Sequence, residues 1–197
     1  MAVKDSHRAR QAQATKEQVA RAARELFRQQ GYVATTIAAI SERADIPAQT
    51  IYSAFGNKPA ILREIARLWI AEAETRRLAQ ESLALADPAE RLRAAAHWHT
   101  RQFVTGIDVI QIYQEAARAD PRMADEQRTV WAAREHELKL YLASFDGDLS
   151  QPQDRALDIL LACTAAEVYH LLVSDRGWPV EEYETWLGDT LVSQLLP

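Results

Sequence analysis

At 197 residues, 48% hydrophobic and 26% charged, the chain can bury about 70% of the surface its unfolded form exposes, which excludes a disordered polymer. One cysteine, Cys163, no apolar run near the ~20 residues of a bilayer span and the polar start MAVKDSHRARQAQATK exclude a disulfide scaffold, a cysteine zinc site and a secreted precursor, leaving a cytoplasmic protein with no membrane partner. The net charge of -5 opposes polyanion binding only as an average: residues 1–62 carry nine Lys/Arg against five Asp/Glu, a net of +4, and residues 63–197 carry -9.

Prolines and glycines set out the elements. Pro47, Pro59, Pro88, Pro121, Pro152 and Pro179 each precede a stretch of helical periodicity, where the missing amide proton costs nothing. Gly31, Gly56, Gly106, Gly147 and Gly177 each follow one, and only Gly188 falls inside. The pattern predicts an all-α chain. Residues 1–14 are expected to be a flexible tail, in which Lys4, Arg8 and Arg10 offer phosphate or minor-groove contacts. A first helix spans 15–30, with Val19, Ala22, Ala23, Leu26 and Phe27 on one face and Thr15 with Gln18 as its capping box. Short helices follow at 36–43 and 47–54, then a long one capped by Asn57 and reaching residue 79. Five more are expected at 88–105 (capped by Asp87), 108–119, 121–144, 151–176 (with Ser150 and Gln153 as capping box) and 179–195, about nine helices in all.

The stretch TTIAAISERADIPAQTIYSAF packs two short helices around a tight turn at Ala44, Asp45 and Ile46. Ile37, Ile40 and Ala44 face Ile46, Ile51 and Phe55, with Leu26 and Phe27 completing a small core. Ala48, Gln49, Thr50, Tyr52 and Ser53 are left pointing outward. A solvated helix face is usually rich in Glu and Lys, whereas small, uncharged, hydrogen-bonding side chains suit a helix lowered into a DNA major groove. Pro47 and Ala48 let the helix N-terminus approach a phosphate. Gln49 can pair bidentately with an adenine edge, worth about 1–3 kcal/mol of discrimination. Thr36, Thr50 and Tyr52 offer hydroxyls to the sugar-phosphate backbone. Lys58, a cation in a first helical turn, is either a plain solvated lysine or one that a bound phosphate compensates.

The run TKEQVARAARELFRQQGYVATTIAAISERADIPAQTIYSAFGNKPAILREI resembles the N-terminal DNA-binding domain of the TetR/AcrR family of transcriptional regulators, on the segments LFRQQGYVATTIAAIS, ADIP and TIYSAFGNKPAIL. The resemblance implies a three-helix module over 15–62 whose second and third helices form a helix-turn-helix, and a dimer on a double-stranded operator with two half-sites. By position it implies backbone contacts from Thr36, Thr50, Tyr52 and Lys58, with Ala48, Gln49 and Ser53 near the bases. Ser53 is smaller than the residue often found there, and Ala54 stands where many relatives carry His.

Residues 63–197 are then expected to supply pairing and effector binding. Leu160, Leu161, Thr164, Val168, Leu171 and Leu172 form an apolar band on one helix, and Tyr183, Trp186, Leu187 and Leu191 form another on the last. Two bands from each subunit would make a four-helix interface in a homodimer, or both could be buried within one subunit. A small-molecule pocket is expected among the intervening helices, walled by Trp98, Phe103, Ile112, Tyr113 and Trp131 and with His99, Gln127 and Arg134 as its polar members. His97 and His99 lie about 200° apart on a helix and cannot share an ion. With no phosphate loop, nucleophile elbow or ligand spacing, no cofactor, no metal and no enzymatic activity are expected. The function expected is a ligand-responsive repressor. The competing reading is a helical ligand-binding or scaffolding protein whose helix-turn-helix no longer binds DNA.

Overall fold

The computed structural model describes residues 2–145 and 147–197, with the backbone alone over residues 2–8. Helices and turns account for all the ordered elements among the described residues. They pack as two units, one of residues 1–69 with 108–127 and the other of residues 70–107 with 128–197.

The first unit holds α1 (Ala2–Gln30), α2 (Ile37–Ala44), α3 (Ala48–Phe55) and most of α4 (Lys58–Glu72). To these it adds the second half of α6 (Pro88–Ala119) and the start of α7 (Pro121–Ala143). Val19, Ala23 and Phe27 of α1 meet Ile40, Ile51, Ile61 and Leu62 in one core, which Val109, Ile112, Ala116 and Met123 extend. The packing division therefore differs from a linear one at residue 62. The hydroxyl of Thr36 accepts the Ala39 amide and starts α2. At the turn Asp45 adopts φ 51°, ψ 44°, and its amide and that of Ile46 return to Glu42 and Ser41 carbonyls, which closes α2. The Ser41 hydroxyl donates to the Ile46 carbonyl at 2.7 Å, and Gln18 of α1 donates to the Ala44 carbonyl at 2.7 Å. The angle between the two short helices is thus held from both sides.

Helix α1 starts earlier than its sequence suggests. The backbone is helical from Ala2, and Thr15 donates to the Gln11 carbonyl four residues back rather than capping a terminus. The Ala, Gln, Arg and Lys residues of this stretch are strong helix formers. The side chains of Lys4 and Arg8, expected near DNA, lie outside the described residues.

The second unit holds α5 (Thr75–Leu83), the first half of α6, the rest of α7, α8 (Gln153–Cys163), α9 (Ala166–Tyr169), a π-helical stretch (His170–Asp175) and α10 (Val180–Leu195). Helix α10 runs antiparallel to α6, with Arg93 paired to Asp189 at 3.2 Å and His97 to Glu184 at 2.9 Å. Gly188 lies where the two helices meet, and a Cβ there would stand 3.3 Å from Arg93 Cγ, tight enough to make that side chain shift, and in ordinary contact at 3.5 Å with its Cα. Leu92, Leu142, Phe145, Leu160, Tyr183 and Leu187 form the buried centre.

Three expected elements are divided differently. The helix expected over 57–79 breaks at Glu74, which adopts φ 52° and binds Arg77 through both carboxylate oxygens. The helices expected over 88–105 and 108–119 are one element interrupted at Gly106. The helix expected over 151–176 ends at Cys163, since Ala165 is extended at φ -72°, ψ 139°. Its capping box does not form: Ser150 donates to carbonyls of α10, and the Gln153 amide donates to the Lys139 carbonyl. Contrary to the sequence reading, Gln153–Asp175 is apolar and long enough to cross a bilayer by length and composition, and only 28% of the window is buried. The extended Ala165 splits it, and Asp154, Arg155, Asp158, Glu167 and Asp175 all lie within it.

Candidate DNA interface and buried polar cluster

Helix α3 presents two faces. Ile51 is buried in the core of the first unit, while Gln49, Thr50, Tyr52 and Ser53 are exposed and Ala48 is half-buried. Tyr52, a large aromatic residue, is 51% exposed. Pro47 precedes the helix without any side-chain cap, so the Ala48 and Gln49 amides keep their donor capacity, while that of Thr50 returns to the Pro47 carbonyl. Ser53 donates to the Gln49 carbonyl at 2.8 Å, and its oxygen can still accept. Thr36, exposed at the start of α2, spends its oxygen on the cap and retains its proton. Six of the seven residues expected to touch DNA therefore fall on α3 or at the adjoining start of α2.

Lys58 does not point outward. Its ammonium donates to the carbonyls of Tyr32 at 2.6 Å, Thr35 at 2.9 Å and Val33 at 3.3 Å. It also lies 4.3 Å from the centroid of the Tyr32 ring. Burial holds it below the ordinary ammonium range, an effect the nearby Glu115 charge opposes. Three backbone carbonyls thus compensate the cation in the chain by itself, and the expected phosphate contact would have to compete with them.

Glu115, which no sequence signal marked, completes that clamp. Its carboxylate accepts the amides of Tyr32 at 2.9 Å and Val33 at 3.2 Å. Gly31 adopts φ 85°, a left-handed backbone that strains any side chain, and an added Cβ would also press on Glu115 Oε1 at 2.9 Å. The loop from Gly31 to Thr35 is thus held between one cation and one anion. Arg24 binds Asp108 in a fork, at 2.7 and 2.6 Å. Burial and the charges of Asp120 and Glu126 push the Tyr32 phenol up to about 12. Adding residues 63–69 and 108–127 lowers the net charge of the first unit from the +4 of residues 1–62 to +2.

The residues expected to line a pocket divide between the units. Ile112 lies in the core of the first unit, Tyr113 packs against that core and donates to Glu126 at 3.5 Å, and Gln127 is half-buried there. Trp131, expected as a wall, is 55% exposed on α7, where Val130 is exposed too. Met123 and Leu138 of the same helix are buried, so the exposure falls on the middle of α7. Trp98, His99, Phe103 and Arg134 do share the second unit. Trp98 and His99 are stacked with ring centroids 3.7 Å apart, and Phe103 meets Tyr169 at 5.0 Å. Arg134 donates to the Thr164 carbonyl at 3.0 Å and hydroxyl at 2.8 Å, which caps the end of α8. Burial lowers its pKa, and the Glu167 charge opposes that shift. His97 turns outward to Glu184, away from His99.

His99 is 1% exposed, and neither ring nitrogen has a hydrogen-bond partner. Burial, and secondarily the Arg134 charge, hold it well below its ordinary 6.5. Below pH 6.5 the unfolded chain takes up a proton that the folded chain refuses. Stability from this residue is complete above pH 6.5 and is lost as pH falls, at up to about 1.4 kcal/mol per pH unit. Urea unfolding of His99→Leu between pH 7.5 and 5, at fixed protein concentration, should show a shallower pH slope than the parent. Equal slopes would contradict a buried neutral ring.

The two bands expected at a dimer interface are only half available. Leu160, Thr164, Tyr183, Leu187 and Leu191 are buried inside their own subunit. They serve its core and offer a partner no surface. Leu161, Val168, Leu172 and Trp186 are half-buried, and Leu171 is 47% exposed.

Residues 19–65 match the model of the tetR family of bacterial regulatory proteins. None of the curated proteins matches. Among solved structures, the chain is similar to a transcriptional regulator from Saccharomonospora viridis in complex with choline, with TM-score 0.72 and 19% identity over 94% of this chain and 99% of the other. It is similar to FadR from Bacillus subtilis in complex with stearoyl-CoA, with TM-score 0.71 and 17% identity over 90% and 97%. It is also similar to the TetR-family regulator PfmR from Thermus thermophilus, with TM-score 0.65 and 20% identity over 91% and 99%.

Proposed function

We propose that this chain, whose residues 19–65 match the tetR family and whose fold is that of TetR regulators, is a cytoplasmic, homodimeric repressor released from a palindromic operator by a small molecule. Residues 15–62 supply the DNA contacts, and residues 63–197 supply pairing and effector binding. The observation that carries the reading is the outer face of α3: Gln49, Thr50, Tyr52 and Ser53 are exposed and uncharged above a buried Ile51. That face suits a major groove, with Gln49 at a base edge and Ala48 and Ser53 beside it. Thr36, Thr50 and Tyr52 fix register through hydroxyl contacts to phosphate.

Effector release needs only differential affinity. A molecule that prefers a dimer geometry unsuited to two successive grooves weakens DNA binding by the factor that DNA weakens its own. The choline and stearoyl-CoA complexes of two similar folds support small-molecule control as the kind of regulation, without indicating which molecule acts here.

Selection of bound duplexes from random DNA should return a palindrome, with half-sites about one helical turn apart. Gln49→Ala should change preference at one position per half-site, by roughly 1–3 kcal/mol. Thr50→Ala and Tyr52→Phe should weaken all sequences alike. If the parent protein shows no salt-dependent binding to any duplex in dilute buffer, the scaffold reading replaces this one.

A further inference from the structure

The second unit concentrates unpartnered polar atoms at one level of the pairing between α6 and α10. Trp98 Nε1, both nitrogens of His99, the Thr100 hydroxyl and the Tyr183 hydroxyl are all buried without a hydrogen-bond partner. They lie at one level along the paired helices. The antiparallel pairs Arg93 with Asp189 and His97 with Glu184 put Tyr183 level with the turn of α6 that holds Trp98, His99 and Thr100. Phe103, one turn on from His99, meets Tyr169 at 5.0 Å, and Tyr169 meets Tyr183 edge-on at 5.0 Å. From α7, Arg134 is near enough for its charge to act on His99.

Buried polar atoms in folded proteins are nearly always bonded, so a cluster of orphans on facing helices calls for a molecule between them. The donor inventory identifies what kind. An indole N–H and a guanidinium can only donate, while a neutral imidazole, a threonine and a tyrosine can each supply a donor. Such a set is matched by a group that only accepts. The charge acting on His99 is the cation of Arg134, which the Glu167 carboxylate offsets only from the Arg134 side, and a cation beside a set of donors suits an anion. The surroundings of Phe103, Tyr169 and Tyr141 are flat and aromatic; the Tyr141 ring lies 6.3 Å from Trp98.

We infer that this level of the second unit is the effector site and that its ligand is a small organic anion, a carboxylate carried on an aromatic or similarly flat apolar body. This rests on the proposed effector-controlled function and specifies its ligand class. The carboxylate oxygens accept from Trp98, His99 and Tyr183, and the apolar body lies against Phe103 and Tyr169. The segment from Thr164 to Asp175 borders the cluster and carries Tyr169. It is broken at Ala165 and π-helical from His170, so it is the stretch of the unit with the least regular hydrogen-bond ladder.

The test uses the full-length protein without DNA and four probes: benzoate, 1-naphthoate, benzamide and benzylamine. In calorimetry the carboxylates should bind at least about tenfold tighter than the neutral amide and the amine. Adding 1-naphthoate should move one indole N–H resonance, identified as Trp98 by its loss in Trp98→Phe. His99→Leu should weaken both carboxylates, and Arg134→Met should erase the preference for carboxylate over amide. Because Arg134 also caps α8, the parent's selectivity and the Trp98 resonance stand as readouts that need no variant at that position. Carboxylates binding no better than benzamide, tighter binding of benzylamine, or an unmoved Trp98 resonance would each overturn the inference. Operator binding is measured on the same preparation. Retained DNA binding with failed carboxylate binding sinks the ligand class alone, whereas absent DNA binding sinks the regulatory reading.

Discussion

Replacing Lys58 with methionine should destabilise the protein by about 2–3 kcal/mol and leave the affinity of the folded protein for DNA nearly unchanged. The ammonium donates to three carbonyls of the loop that joins α1 to α2. Hydrogen bonds to a charged group are each worth about 1.5–3 kcal/mol, and the effects of three bonds sharing one cation do not add. Methionine would fill the volume over the Tyr32 ring while leaving those carbonyls without their donor. For a chain of this size the melting temperature should fall by roughly 5–10 °C. A phosphate-binding lysine behaves in the opposite way: its loss weakens binding to every sequence and lowers the salt slope by about one, with little effect on stability. Urea unfolding together with salt-dependent binding therefore separates the two roles. An unchanged midpoint with weakened DNA binding would restore the phosphate contact.

Lys58 also shows where the sequence runs out. Its position in a first helical turn correctly signals a cation that needs compensation. The compensating carbonyls belong to residues 23 to 26 positions earlier, and no local pattern announces them. Glu115 is farther still, 83 residues from the Tyr32 amide it accepts. The two short helices, their turn and the outward face of α3 are legible because each depends on spacing within one or two turns. The break at Glu74 is not, because neither glycine nor proline marks it. Arg134 stands out in the sequence as a cation among apolar residues, but its partners include the carbonyl at the end of α8, exposed by a break that the apolar run from 153 to 175 conceals. The same run explains why half of the expected interface residues are buried: a band wide enough to serve two surfaces does not show which stripe its own chain takes.

That remaining stripe should be the one that pairs subunits. Val168→Glu combined with Leu171→Glu should convert the protein to a monomer and lower its operator affinity by about 10³ or more, the usual gap between specific and non-specific binding. Leu171 is 47% exposed, Val168 is half-buried, and only 28% of the residues in the apolar stretch around them are fully buried. Contiguous apolar surface of this kind on a folded protein marks an association site. Two carboxylates facing their symmetry mates there would each have to be desolvated without a partner. Neither substitution touches the fully buried Leu160 or Leu187, so the monomer should remain folded, with its helical circular dichroism intact and its binding to a single half-site no weaker than the parent's. Sedimentation equilibrium measures the pairing directly. If the doubly charged variant stays dimeric, the interface lies elsewhere, and the exposed Val130, Trp131 and Leu140 of α7 become the next surface to charge.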